Sequence, residues 1–196
     1  QAFTIEADNL TPDELIHALL KSPVDLIWNG GIGTYVKSTQ ESHADVGDRA
    51  NDAVRIDGHE LQAKVIGEGG NLGMTQRGRI EFAQAGGRLY TDAIDNSAGV
   101  NCSDHEVNIK ILLDGIVAQG DMTVKQRNEL LASMTDDVAK LVLRQNYLQP
   151  QAIELSAMQA TANLSLQQKF MQYLESEERL DRAIEFLPSD EEIARR

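Results

Sequence analysis

Apolar and polar positions fall into two different rhythms along this chain. Through residue 120, short apolar runs of strand length alternate with helical patterns; from residue 121 onward the spacing is helical only. Thr11–Pro12–Asp13–Glu14 stacks a Thr cap, a Pro at the first helical position and a Glu three residues on, and so starts a helix with Leu15, Ile16, Leu19 and Leu20 on one face, stopping before Pro23. A first strand is predicted over Val24–Asn29, a second over about Ala63–Gly67 and a third near Arg88–Asp92, with a possible further strand around Ala2–Ile5. Between the first two, Lys37–Glu60 is polar, with a short helix expected near Asp45–Val54 and a turn at Asp57–Gly58. Thr75–Ala85 reads as a helix turning Ile80, Phe82 and Ala83 inward and closed by Gly86–Gly87. Ser103–Asp104–His105–Glu106 has the form of a capping box opening a long apolar helix that Gly120 ends. Beyond it, Thr123 caps a helix that Pro150 should break; another runs from about Ala152 to Glu175, and a short one follows Ser189.

Alternating strands and helices imply parallel pairing with crossover connections. In such a sheet, ligands bind beyond the carboxyl ends of the strands. All three strands here run into loops of one chemistry: Asn29–Gly30–Gly31, Gly69–Gly70–Asn71 and Asn96–Ser97–Ala98–Gly99. Gly and Asn dominate ordinary turns, so any one loop alone says little. Three lying side by side on one sheet edge say more. Gly lets backbone approach a ligand closely, and an Asn carboxamide offers donor and acceptor on one rigid group. A flat, amide-bearing ligand suits them, and a helix N-terminus after the third loop suits an anionic group such as a carboxylate.

Composition narrows the partners. The 196 residues include 41% apolar and 25% charged, ordinary for a globular chain able to bury a core. Lys and Arg total 18 against 31 Asp and Glu, a net charge of −13 that repels nucleic-acid phosphates and anionic lipid. A single cysteine, Cys102, rules out a disulfide within the chain and, with no signal pattern at Gln1–Ala2–Phe3, points to a cytoplasmic setting. The absent initiator Met suggests a piece of a longer protein.

Other chemistry is sparse. His17, His43 and His59 show no metal-ligand spacing, His105 reads as a surface residue, Cys102 as a small buried one, and Met134, Met158 and Met171 as core filler. Asp92 and Asp95 flank the third loop and are candidates for hydrogen-bonding it. Gly67 and Gly69 begin a dinucleotide fingerprint, but Leu72 stands where its third Gly belongs; a pyrophosphate turn, if there is one, lies before Gln1.

The segments DLIWNGGIGTYVK, HADVGDRANDAVR, GEGGNLGMTQRGRIE and TDAIDNSAGVNCSDHEVNIKILL closely resemble the large bacterial NAD-specific glutamate dehydrogenases, strongly over about Val24–Leu113 and more loosely in the helical part. Ordinary hexameric members carry an EGAN loop and an N-A-G-G-V-x-x-S loop at the matching places. The resemblance implies that Asn71 lines the cofactor cleft with Gly70 beside it, and that Asn96 meets the nicotinamide ribose or carboxamide. It further implies that Gly30 and Gly31 lie near the coenzyme, and that Val100 and Ser103 touch the substrate's side chain and distal carboxylate. Departures from the ordinary members are Ser97 in place of Ala, Asp104–His105–Glu106–Val107 in place of Tyr–Phe–Glu–Trp, and Leu72–Gly73–Met74–Thr75 in place of a Pro-containing turn. The family's catalytic Lys and Asp belong to a substrate domain, and the acidic residue selecting NAD over NADP to an upstream half-domain.

The expectation is therefore α/β: a partial Rossmann-like parallel sheet of about three strands followed by an all-helical extension. Residues 1–120 would be the second half of an NAD-binding domain and residues 121–196 a helical C-terminal region. The parent would oxidise L-glutamate to 2-oxoglutarate and ammonium with NAD, while this part alone is inactive. Its expected partners are the rest of the polypeptide and, as a homo-oligomer, a second copy, not nucleic acid or membrane. Two alternatives remain: a related dehydrogenase of apolar amino acids, which Ser103 argues against weakly, and a non-catalytic helical interaction module.

Overall fold

The computed structural model describes residue 5 and residues 9–195; the strand expected around Ala2–Ile5 falls outside the described residues except for Ile5 itself. Helix α1 (Pro12–Leu20) starts as its sequence dictates. Thr11 accepts from the Glu14 amide while the Glu14 carboxylate takes the Thr11 N–H at 2.8 Å, so two otherwise orphaned donors are satisfied reciprocally.

Strands β1 (Leu26–Asn29) and β4 (Val65–Glu68) pair in parallel, Leu26 opposite Val65 and Asn29 opposite Glu68. The third strand expected at Arg88–Asp92 is a single parallel bridge, Arg88 to Val65, in which Arg88 donates to the Lys64 carbonyl and accepts from the Ile66 amide, both at 3.0 Å. It has no room to lengthen. The Gly86–Gly87 turn precedes it, and Thr91 already caps helix α4 (Asp92–Asp95).

A second small sheet was not foreseen. Strands β2 (Val36–Lys37) and β3 (Ile56–Asp57) pair in parallel, and Met74 bridges Val36 from the other side. Between β2 and β3 lie α2 (His43–Val46) and a 3-10 turn, Arg49–Asn51, in place of the one helix expected near Asp45–Val54. Gly47, at a left-handed φ of 75°, ends α2 and separates the two. The turn at Asp57–Gly58 appears as a second 3-10 turn, Gly58–Glu60.

The core sits between the two sheets and helix α3 (Gln76–Gln84): Val36, Ile56, Leu61, Ala63, Ile66, Met74 and Phe82. Strand alternation sends Ile27 and Ile66 into it, while Leu26, Trp28 and Val65 on the opposite face are exposed. On α3 the inward residues are Gly78, Arg79 and Phe82; Ala83, expected inside, is exposed.

The helical part consists of α5 (Ser97–Gln119), α6 (Val124–Ser133), α7 (Thr135–Met158), α8 (Ala160–Ser176) and α9 (Asp190–Ala194). The capping boxes at Thr123 and Ser189 form as expected. Two boundaries differ from expectation. Helix α7 runs through Pro150 and stops only at Gln159. A proline removes one main-chain hydrogen bond and crowds the preceding turn, which a largely exposed helix accommodates by bending or hydrating the freed carbonyl. The break falls instead at Met134, between α6 and α7. Helices α5 and α7 bury Leu113, Val138 and Val142, whereas α8 has no buried residue. The fold is thus α/β with a small parallel sheet and a helical extension.

Candidate functional site

Parallel register sets the strand ends side by side, because Asn29 pairs with Glu68 and the chain beyond each must turn at the same level. The Gly69 amide donates to the Asn29 carbonyl at 2.8 Å. One residue further on the two loops touch: a Cβ on Gly70 would lie 2.3 Å from the Gly31 carbonyl oxygen, so only glycine fits there. The third segment closes on the second. Asn96 Nδ2 donates to the Gly70 carbonyl at 2.6 Å and to Asn71 Oδ1. Gly30, Gly31, Gly70, Asn71 and Asn96 therefore share one rim at the carboxyl ends of the strands. Asn71 Nδ2 and Asn96 Oδ1 carry no partner among the described residues, leaving one donor and one acceptor on adjacent carboxamides.

Beneath the rim is a layer of charge. Glu68, only 1% exposed, takes Arg79 Nη2 on Oε2 at 2.6 Å, and Arg79 also lies 3.5 Å from Asp92. Asp95 Oδ2 accepts the Glu68 amide at 2.9 Å, and Asp92 Oδ2 accepts the Leu72 amide at 2.7 Å, so the two carboxylates do bond main chain, but at the two ends of the second loop rather than in the third. Burial pushes the Glu68 carboxyl above its ordinary range against the pull of Arg79, with Asp92 and Asp95 adding to the rise. Burial raises Asp95 as well, opposed by the Glu68 amide and Arg79. Leu72 has a left-handed φ of 58° with both main-chain groups tied, its N–H to Asp92 and its carbonyl to Thr34 Oγ1 at 2.7 Å. A non-glycine residue in that region is strained and persists because its surroundings fix it. Trp28 covers the rim's outer side; a Cβ on Gly67 or Gly69 would strike its ring.

Ser103 is not at a helix N-terminus. Helix α5 begins at Ser97, because the turn of α4 passes directly into it through Asn96; the capping-box sequence at Ser103 lies inside the helix, and Ser103 is exposed. The Asn96–Gly99 stretch is accordingly helix start rather than open loop. Asn96, Val100 and Ser103 follow at i, i+4 and i+7 and so share one face of α5, with Val100 exposed like Ser103. Cys102, expected buried, is half-buried and faces Glu106. His105 meets Gln145 of α7 at 3.3 Å.

Sequence reasoning missed Glu68, Arg79, Trp28 and Thr34 as builders of the site. For Glu68 the available signal was a charged residue ending an otherwise apolar strand.

The fold and the rim define a parallel α/β unit with carboxamides and bare backbone gathered at the carboxyl ends of its strands. Within that class the chain belongs to the family described as bacterial NAD-glutamate dehydrogenase, catalytic domain, whose model matches residues 1–156. It is 63% identical over 194 residues to an NAD-specific glutamate dehydrogenase of Pseudomonas aeruginosa, covering 99% of this chain. It is 59% identical over 196 residues to the enzyme of that name from Halomonas elongata, and 54% over 190 residues to that from Mycobacterium tuberculosis, covering 100% and 97% of this chain. The chain spans 12% of the length of each of these relatives.

Proposed function

We propose that this chain is part of the catalytic domain of an enzyme that oxidises L-glutamate with NAD, giving 2-oxoglutarate and ammonium. Residues 1–120 would be the second half of a Rossmann-type NAD-binding domain and residues 121–196 a helical extension. The observation that carries the reading is the contact between Asn71 and Asn96 above the touching backbones of Gly31 and Gly70. When bound, NAD supplies the acceptor for hydride from the substrate's Cα. The residues present fit such a group: Asn71 Nδ2 and Asn96 Oδ1 are a donor and an acceptor side by side, complementary to a primary carboxamide, and Gly30, Gly31 and Gly70 admit close approach. Val100 and Ser103 follow Asn96 along α5 and are assigned to the substrate's side. Ser103 lies inside α5 and offers no helix N-terminus, so its hydroxyl and the helix face it shares with Asn96 and Val100 support that assignment.

The family's catalytic Lys and Asp lie outside these residues, so the 196-residue chain alone is expected to be inactive. Full-length protein should reduce NAD in the presence of glutamate and do so poorly with leucine or valine. Equal turnover of all three would favour the apolar amino-acid reading, and no turnover of any would sink both.

A second role is favoured by a separate observation. Leu26, Trp28 and Val65 on one sheet face, and Ile111, Leu112, Leu143, Tyr147 and Phe170 on the helices, are exposed. Parallel sheets are ordinarily covered on both faces, and apolar patches of this kind mark contact surfaces. The rest of the parent polypeptide is the proposed cover. Exchange protection of α7 and α8 in full-length protein, set against the isolated chain, tests this; equal protection in both would refute it.

A further inference from the structure

We infer that helix α7 sets the position of Asn96, acting through Ser97, and that Ser97, Asn146 and Gln149 are positioning residues for the carboxamide end of the coenzyme site. The inference rests on the reading of that rim given above. Its starting point is a hydroxyl with both capacities in use. Ser97, 7% exposed, donates from Oγ to Gln149 Oε1 at 2.8 Å and accepts from Asn146 Nδ2 at 2.7 Å. Asn146 and Gln149 stand at i and i+3 and so present their carboxamides on one face of α7.

The need for such a clamp follows from how α5 begins. Most helices have a side chain at the N-cap that accepts from the free amides of the first turn. Here the N-cap residue is Asn96, and its side chain makes no cap bond; Nδ2 is turned to Gly70 and Asn71 instead. The residue that would normally steady the helix start is committed to the rim. The adjoining Ser97 instead ties that turn to α7 through its hydroxyl.

Two more bonds from the same helix bracket the site. Upstream of Asn96, Tyr90 Oη donates to Glu154 Oε1 at 2.6 Å; downstream, His105 Nε2 meets Gln145 Oε1 at 3.3 Å. The stretch from Tyr90 to His105, which carries Asn96 at its middle, is thus stapled to one helix at three levels. None of these α7 residues bonds to Asn71 or Asn96 directly. Removing the Ser97 hydroxyl leaves Asn146 and Gln149 without their partner and lets the first turn of α5 shift, so that Asn96 no longer aligns with Asn71.

The test uses full-length protein carrying Ser97→Ala, Ser97→Thr, Gln149→Ala, or Ser97→Ala with Gln149→Ala. NAD affinity is measured by titration calorimetry without glutamate, beside KM and kcat and the thermal midpoint. Ser97→Ala and Gln149→Ala should each weaken NAD binding roughly tenfold, the scale of leaving one polar group unpaired. KM for NAD should rise in step, with kcat and KM for glutamate changing less. Ser97→Thr, which keeps the hydroxyl, should restore affinity to within about twofold, and the double variant should lose little more than either single one. A lowered thermal midpoint with unchanged NAD affinity would make the clamp merely structural and overturn the inference. Failure of Ser97→Thr to restore affinity would do the same. If unsubstituted protein binds no NAD, the proposed function fails first, and this inference with it.

Discussion

The α/β half and the helical part hold themselves together by different means. In the first, Val36, Ile56, Leu61, Ile66, Met74 and Phe82 come from strands, loops and a helix far apart in sequence and meet in one core. Its polar groups also bond over long separations, Thr34 to Leu72 and Ser38 to Glu81 among them. In the second, long helices satisfy their own backbones and bury little, Leu113, Val138, Val142 and Ile193 being the buried apolar residues described there. A region with a core of its own can fix a ligand rim to within a hydrogen bond. A region of exposed helices depends on whatever it packs against; beside the rim, α7 bonds to Tyr90, Ser97 and His105.

Substitutions should fall into two groups accordingly. The largest effect is expected from Phe82→Ala. This side chain is 1% exposed and its ring fills the space beside Gly87 where a Cβ would otherwise sit. Loss of about 4 kcal/mol is expected from the vacated volume, read from urea unfolding of the 196-residue chain with Trp28, its one tryptophan, as reporter. Next comes Arg79→Leu, which strands the Glu68 carboxylate in a buried site already crowded by Asp92 and Asp95. Breaking one side of a buried pair costs ~3 kcal/mol or more, and the same unfolding curve measures it. An unchanged midpoint for either variant would contradict the account of this core.

A smaller effect belongs to pH. Burial alone would raise Glu81, but bonds from Ser38, Thr39 and His59 outweigh it and bring its carboxyl down to about 2. A carboxyl depressed on folding adds stability that is complete above the unfolded value near 4.5 and disappears as pH falls toward about 2. Glu81→Gln should therefore flatten the acid limb of the stability curve in that window, and identical acid limbs would argue against it. The smallest effect is expected on the helices. Leu143→Ser, at an exposed site, should change the stability of the isolated chain by less than about 0.5 kcal/mol. A large loss there would mean that the helical part has a core of its own.

The same contrast governs how much the sequence disclosed. Local signals were read correctly: the Thr11, Thr123 and Ser189 boxes depend on residues three apart, and each forms. Convergence of the first two Gly and Asn segments was also legible, since parallel strands must deliver their ends to one edge; the third reaches the same rim through α4 instead of from a strand end. What stayed hidden was non-local or overridden by context. Two-residue strands at Val36 and Ile56 have no periodicity to detect and exist through pairing alone. Ser103 has every local mark of a cap, yet the preceding turn is already helical and carries the helix through it. Arg79, charged and on a helix, gave no sign that it would lie inside beneath Glu68.

The account turns on Asn71 and Asn96 acting as one recognition unit for the coenzyme. Its most direct test is NAD affinity of full-length protein bearing Asn71→Ala, Asn96→Ala and both. Each single substitution should weaken binding roughly tenfold, and the pair should fall well short of a hundredfold because each carboxamide orients the other. NAD affinity that both substitutions leave untouched would contradict it.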